Sequence, residues 1–288
     1  MVPGLPSRIC GWRSGCGLRR VGGACLRPRP VLGWHDAPVD VIGDLAAEHA
    51  ALDEALDGVG DWEADTPAEG WTIVDCLAHL WHFDGRAALA ATDPDRFTSE
   101  LSREPELIAA SHRDAHAMQG AALRDAWRKR STTMLDAFRA VDPSTRVPWY
   151  GPPMSMTSFV TARLMETWAH GQDVLDAIGH APIASDRLRH VAFIGVRARP
   201  FSYVNRGREV PEGDVRVELA APDGDTWTFG ESTTDVVRGS ALDFCLVVTQ
   251  RRHRDDTDLV IEGPLAQDWM AIAQAFAGPP TDGRAPRS

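Results

Sequence analysis

The chain has 288 residues, is 43% hydrophobic, and carries 41 Asp plus Glu against 30 Lys plus Arg, for a formal net charge of −11. That is enough apolar residue for a sizeable core and too much chain for one small domain, so one large or two ordinary domains are expected. The acidic balance argues against a protein that coats nucleic acid or an anionic membrane.

The charge is uneven. Residues 1–35 hold six Arg and no acid, so the remainder carries −17 against the −11 of the whole. Gly, Arg and Pro interrupt every apolar run there, which excludes a secretory signal, and no stretch in the chain approaches a membrane span. Cys10, Cys16 and Cys25 lack the spacing and His partners of a zinc pair. Residues 1–38 therefore read as a disordered extension, of the kind translated from an upstream start codon. Cys76 and Cys245 are then the only cysteines left, too few for a disulfide framework, and a reducing cytoplasm is expected.

From residue 39 the pattern becomes regular. Val39, Ile42, Leu45, His49, Leu52, Leu56 and Val59 recur at helical spacing. A second helix is expected from Thr72, with Asp75 in a capping-box position, to about Ala91, before Asp93-Pro94. Residues 94–119 read as a polar helical excursion. A third long helix follows at 120–141, carrying Leu123, Trp127, Met134, Leu135 and Phe138. The proline-rich loop at 148–153 then leads to a fourth helix, 156–178. Four long amphipathic helices with modest connections suggest a four-helix bundle over 39–180. Beyond it, residues 185–278 read as a separate α+β domain. It has a helix at 185–199, a hairpin of 215–219 and 226–229 turning at Asp223-Gly224, and a strand at 236–238. A helix at 242–249, a strand at 259–261 and a last helix at 264–276 complete it, and a disordered tail is expected at 279–288.

One constellation carries chemistry. Glu166 and His170 lie four apart on the fourth helix, so both can reach one point. With His79 of the second helix they offer two nitrogens and one carboxylate, the donor set of a catalytic metal site with an open position. Such a pair is also common on solvated helix faces, but on the wheel it falls between the apolar and polar arcs. His79 lies beside Cys76 and Phe83 near the apolar arc, whereas His82 points further toward solvent. Asp84, inside the apolar arc, and Asp173, one turn beyond His170, are supporting or pocket candidates, with an ordinary structural hydrogen bond as the alternative for each. His49 on the first helix is a pocket candidate or a satisfied core histidine. The basic cluster Gln250-Arg251-Arg252-His253-Arg254 reads either as an anion contact or as a solvated helix end. Cys76 reads as a buried structural thiol.

At these residues the sequence resembles a known family. Residues 70–80, GWTIVDCLAHL, and residues 166–174, ETWAHGQDV, are similar to the two ligand segments of the mycothiol-dependent maleylpyruvate isomerase family, within the DinB-like metalloprotein superfamily. The likeness covers about residues 40–180. It extends to a sterol-carrier-like C-terminal domain, most clearly over Asp235 to Arg252, and points to an actinobacterial subgroup of unassigned reaction. It implies that His79, Glu166 and His170 bind a divalent metal, usually zinc. It also implies that mycothiol or a similar thiol adds to a small electrophilic substrate, with Arg251 and Arg252 as substrate or thiol contacts.

The expectation is thus a zinc-dependent thiol transferase or isomerase, cytoplasmic, acting on small molecules without nucleic acid or membrane, with its pocket between the bundle and the second domain. The alternative is a non-catalytic metal- and ligand-binding stress-response protein, with His49 as a possible fourth ligand. RNA modification is disfavoured by the acidic charge.

Overall fold

The computed structural model describes residues 40–118 and 120–287; the expected extension at 1–38, with Cys10, Cys16 and Cys25, lies outside them. Local capping starts the helices where the sequence signals them. The Asp40 side chain accepts from Gly43 N at 2.9 Å and opens α1 (Val41–Leu56), which buries Leu45, His49, Leu52 and Leu56. Thr72 and Asp75 complete a reciprocal capping box at the head of α2 (Ile73–Thr92). Asp93 both ends α2 and caps α3 (Pro94–Glu100). There follow α4 (Glu104–Ala117), α5 (Gly120–Arg139), the short ribbon of β1 (Arg146–Val147) with β2 (Met154–Ser155), and α6 (Met156–Ala177), capped by Ser155.

Helix α2 packs on α5 and α6, and α1 packs on α6 and α5. Helices α3 and α4 lie against α2. They cover a face that the sequence assigned to solvent. His82 is 5% exposed because Glu104 and Ser111 of α4 take its two ring nitrogens, at 2.7 and 2.8 Å. Arg86 is buried against Glu100, Glu104 and the Phe97 ring.

The helix expected at 185–199 is two, α7 (Leu188–Arg197) and α8 (Arg199–Val204), with Pro200 in the first turn of the second. A four-stranded sheet of order β4-β3-β5-β6 contains β3 (Arg216–Ala220), β4 (Thr226–Phe229), β5 (Val236–Ser240) and β6 (Val260–Glu262). The β3–β4 and β5–β6 pairs are antiparallel, while β3 and β5 run parallel. Helix α9 (Ala241–Val248) follows β5, and α10 (Pro264–Met270) follows β6. The last helix ends short of the expected residue 276. Its continuation bonds elsewhere: Gln274 N donates to Ser202 Oγ and Ala275 N to Val248 O.

The chain is therefore mostly helical with small sheets, and its two halves share a core. One buried cluster runs from Val41, Leu45, Phe159 and Trp168 through Leu188 and Val191 to Phe244 and Trp269, crossing the expected boundary near residue 180. Gly195 allows the close approach of α7 to α9, since a Cβ there would lie 2.7 Å from Val248. A second cluster, with Leu52, Leu56, Ile73, Leu77, Trp127 and Val174, fills the far end of the long helices. The expected disordered tail is instead placed against this body over 279–287, held by Thr281 on Gln250 and by Arg284 on Asp173 and Asp176. Buried carboxylates on α6 are what hold it there. No helix among the described residues is long and apolar enough to cross a membrane.

Candidate metal centre

Helices α2 and α6 bring His79, Glu166 and His170 to one point. Glu166 Oε2 lies 3.5 Å from His79 Nε2 and 3.7 Å from His170 Nε2, and the two imidazole centroids are 4.5 Å apart. These separations are long for hydrogen bonds. They match the donor–donor edge of roughly 3.4 Å around a tetrahedral zinc with bonds of about 2.0–2.1 Å. The three residues therefore fit a divalent cation, and among the described residues they are the donors that meet at this point.

Aromatic rings wall the point. Trp71 stacks on His170 at 5.4 Å with its plane 4° away, and tilts over His79 at 5.5 Å. Phe83 lies 4.5 Å from His79 on the other side. Burial, with repulsion from His170 adding to it, lowers the pKa of His79 to about 4, so the ring is neutral at pH 7. Burial acts on Glu166 in the opposite sense, but His79, His170 and Arg163 outweigh it and hold the carboxyl at about 2. A neutral imidazole and an ionised carboxylate are the protonation states a cation requires.

Asp173 stands behind His170, with Oδ2 3.2 Å from its Nδ1. It is fully buried, and burial favours its protonated form. Arg251, His170 and Arg284 overcome that and keep it well below the usual carboxylate range. Arg251 Nη2 reaches it at 2.8 Å and Arg284 Nη2 at 2.5 Å. Arg251 Nε also donates to Ala169 O. Arg252 pairs with Asp176 one turn of α6 further on, at 2.5 Å. Arg251 and Arg252, expected as thiol or substrate contacts, thus have carboxylates of α6 for partners. Gln250, with φ +60, turns the chain out of α9 so that both arginines point back at α6.

His49 and Asp84 belong to a different group. Asp84 has no exposed surface; it accepts from Arg163 Nη2 at 2.8 Å and from Trp127 Nε1 at 3.1 Å. His49 Nε2 is 3.9 Å from Asp84 Oδ2, and its ring meets Trp127 edge-on at 5.5 Å. The three groups of converging metal-type donors among the described residues do not include His49. Cys76 is buried and free, and burial pushes its thiol well up.

His79 lines a pocket of about 180 Å³ beside the centre. It was expected between the two halves of the chain. Its lining comes instead from α2, α4 and the loop before α2: Trp71, Asp75, His79, Phe83, Ile108 and His112 among others. The reason is α4, which stands over α2 and supplies the outer wall. His112 and His116 were missed by sequence reasoning, though their four-residue spacing was a usable signal; Trp71 was visible only as part of a motif.

Fold and site together define a helical protein with a two-histidine, one-carboxylate centre between long helices. The model of the mycothiol maleylpyruvate isomerase N-terminal domain matches residues 45–175. Two proteins of Mycobacterium tuberculosis, from strains H37Rv and CDC 1551 and each described as uncharacterized, are 40% identical over 254 residues, covering 86% of this chain and 99% of theirs. The crystal structure of the mycothiol-dependent maleylpyruvate isomerase superposes with TM-score 0.55 at 19% identity, over 80% of this chain and 98% of that one. A histidine-to-alanine mutant of that enzyme gives the same TM-score at 18% identity. The chain belongs to the mycothiol-dependent maleylpyruvate isomerase family.

Proposed function

We propose that the protein is a zinc-dependent thiol transferase or isomerase that uses mycothiol, or a similar low-molecular-weight thiol, on a small electrophilic substrate. The observation that carries this reading is the convergence of His79 Nε2, Glu166 Oε2 and His170 Nε2, with His79 also lining a pocket of about 180 Å³. Family membership supports the thiol. On this reading residues 39–180 are a DinB-like four-helix bundle that carries the metal, and residues 185–278 a sterol-carrier-like α+β domain. The setting is the cytoplasm, and the partners are small molecules rather than nucleic acid.

His79, Glu166 and His170 would hold a divalent cation, which would supply Lewis-acid activation of a thiol to its thiolate at neutral pH. The chain's own residues prepare the site for it. His79 presents a neutral Nε2, because burial keeps its pKa near 4. Glu166 stays ionised and serves as a ligand, not as a general base. Asp173 Oδ2, 3.2 Å from Nδ1 of His170, favours a proton on that nitrogen and so leaves the Nε2 lone pair for the centre, while Arg251 and Arg284 fix Asp173. Trp71 and Phe83 pack against the imidazoles of His170 and His79 and restrict how those rings can turn. The reaction class is addition of a thiol to an electrophilic carbon. Bond rotation and thiol loss then complete an isomerisation, or release of the adduct completes a transfer.

Elemental analysis of wild type and His170→Ala tests the ligands; unchanged zinc in the variant sinks the assignment. Incubating zinc-loaded protein with mycothiol and a panel of electrophiles, maleylpyruvate included, tests the chemistry. Loss of free thiol that depends on the protein is expected, and its absence across the panel overturns the thiol reading.

A further inference from the structure

We propose that Asp75, His112 and His116 form a second divalent-cation site, of the zinc class, on the rim of the same pocket. It does not rest on the function proposed for the first centre.

Three observations carry it. The first is convergence: Asp75 Oδ1 lies 2.6 Å from His112 Nε2 and 2.8 Å from His116 Nε2, and the two rings are 4.4 Å apart. One oxygen therefore faces two imidazole nitrogens. These are hydrogen-bond separations, shorter than the roughly 3.4 Å donor–donor edge around a tetrahedral zinc, so the two rings would draw back by several tenths of an ångström to admit a cation among the three.

The second is that Asp75 is held in place. Its Oδ2 accepts from Thr72 N at 2.8 Å and Thr72 Oγ1 at 3.0 Å, which leaves Oδ1 to face the histidines. Burial raises the Asp75 pKa, but the bonds from Thr72, His116 and His112 outweigh it and keep the carboxyl below its ordinary value. The capping box that starts α2 thus also fixes a donor.

The third is the repeated plan. The first centre takes two donors four apart on α6 and one from α2. The rim group takes two donors four apart on α4, His112 and His116, and one from α2. Asp75 and His79 are themselves one helical turn apart, so α2 serves both groups along one face. Each set is two histidines and one carboxylate, a donor combination suited to zinc with an open position. The rim side chains are 13–33% exposed and line the pocket, so a cation has an entry path.

The test is calorimetric titration of the metal-stripped full chain with zinc chloride, with elemental analysis beside it. Wild type should saturate at two equivalents. His116→Ala, and the milder His112→Gln, should lose one equivalent or weaken it at least about tenfold, since loss of an outer-shell partner alone costs that much. Circular dichroism confirms that each variant is folded; Asp75 is left intact because it caps α2. His170→Ala should retain the rim equivalent, so failure of the first centre and failure of this one read differently. Wild-type zinc binding by both His116→Ala and His112→Gln overturns the proposal. So does a wild type with one equivalent that His170→Ala removes.

Discussion

Asp84 and Glu166 are two carboxylates on facing helices, and their surroundings differ. Asp84 has no exposed surface and is closed off by Arg163 and Trp127. Glu166 is 21% exposed at its side chain, opposite two histidines at 3.5 and 3.7 Å, too far for good hydrogen bonds. The first is a completed pair whose loss would leave a buried cation; the second is a set of donors too far apart to hydrogen-bond, one of which, His79, lines a pocket. Burial alone does not mark function. What sets Glu166 apart from Asp84 is that its neighbours converge on it without satisfying it.

The largest expected effect tests the closed pair. Asp84→Ala leaves Arg163 buried and unpaired and should cost about 3–5 kcal/mol in urea denaturation. A loss near zero would mean that the two carboxylates are not distinct in kind. Next comes the open set. Free zinc at about 100 times its Kd for the first centre should stabilise wild type by about 2.7 kcal/mol through that centre. Glu166→Gln should stay folded and lose that share while keeping any gain from the rim site, as read by thermal melts with and without zinc. Arg251→Ala should be milder. With Arg284 still on Asp173, zinc affinity at the first centre should fall roughly tenfold, measured by competition with a chelator.

The smallest effect concerns a pair at the surface. Burial raises the Asp53 pKa, but Arg128 and Arg124 more than offset that and lower it from 3.8. Its contribution is therefore present above pH 3.8 and is lost as pH falls through the lower folded value. Asp53→Asn should flatten that acid limb in denaturation curves taken across it, while leaving zinc binding untouched. An unchanged limb would remove Asp53 from the account.

Much of this was legible early. Thr72 with Asp75 caps α2 as the sequence signalled, and apolar stripes such as Leu45, Leu52 and Leu56 face the core. The four-residue step from Glu166 to His170 placed two donors together because helix geometry is local. Asp84 was rightly suspect as a carboxylate in an apolar arc, yet its partner Arg163 is 79 residues away in sequence. His82 looked solvent-facing because a helical wheel cannot show that α4 covers it. Arg251 and Arg252 looked like free cations because nothing local reveals that the turn at Gln250 aims them at Asp173 and Asp176.

By itself the sequence determined the four long helices of the first half and the candidate donors on them, since capping, periodicity and the i to i+4 step act within a few residues. Tertiary structure alone decided which donors meet, which side chain each buried charge pairs with, and where the pocket opens. Those depend on how α4 and the turn after α9 come to rest on α2 and α6, contacts between residues distant in sequence that no local pattern encodes.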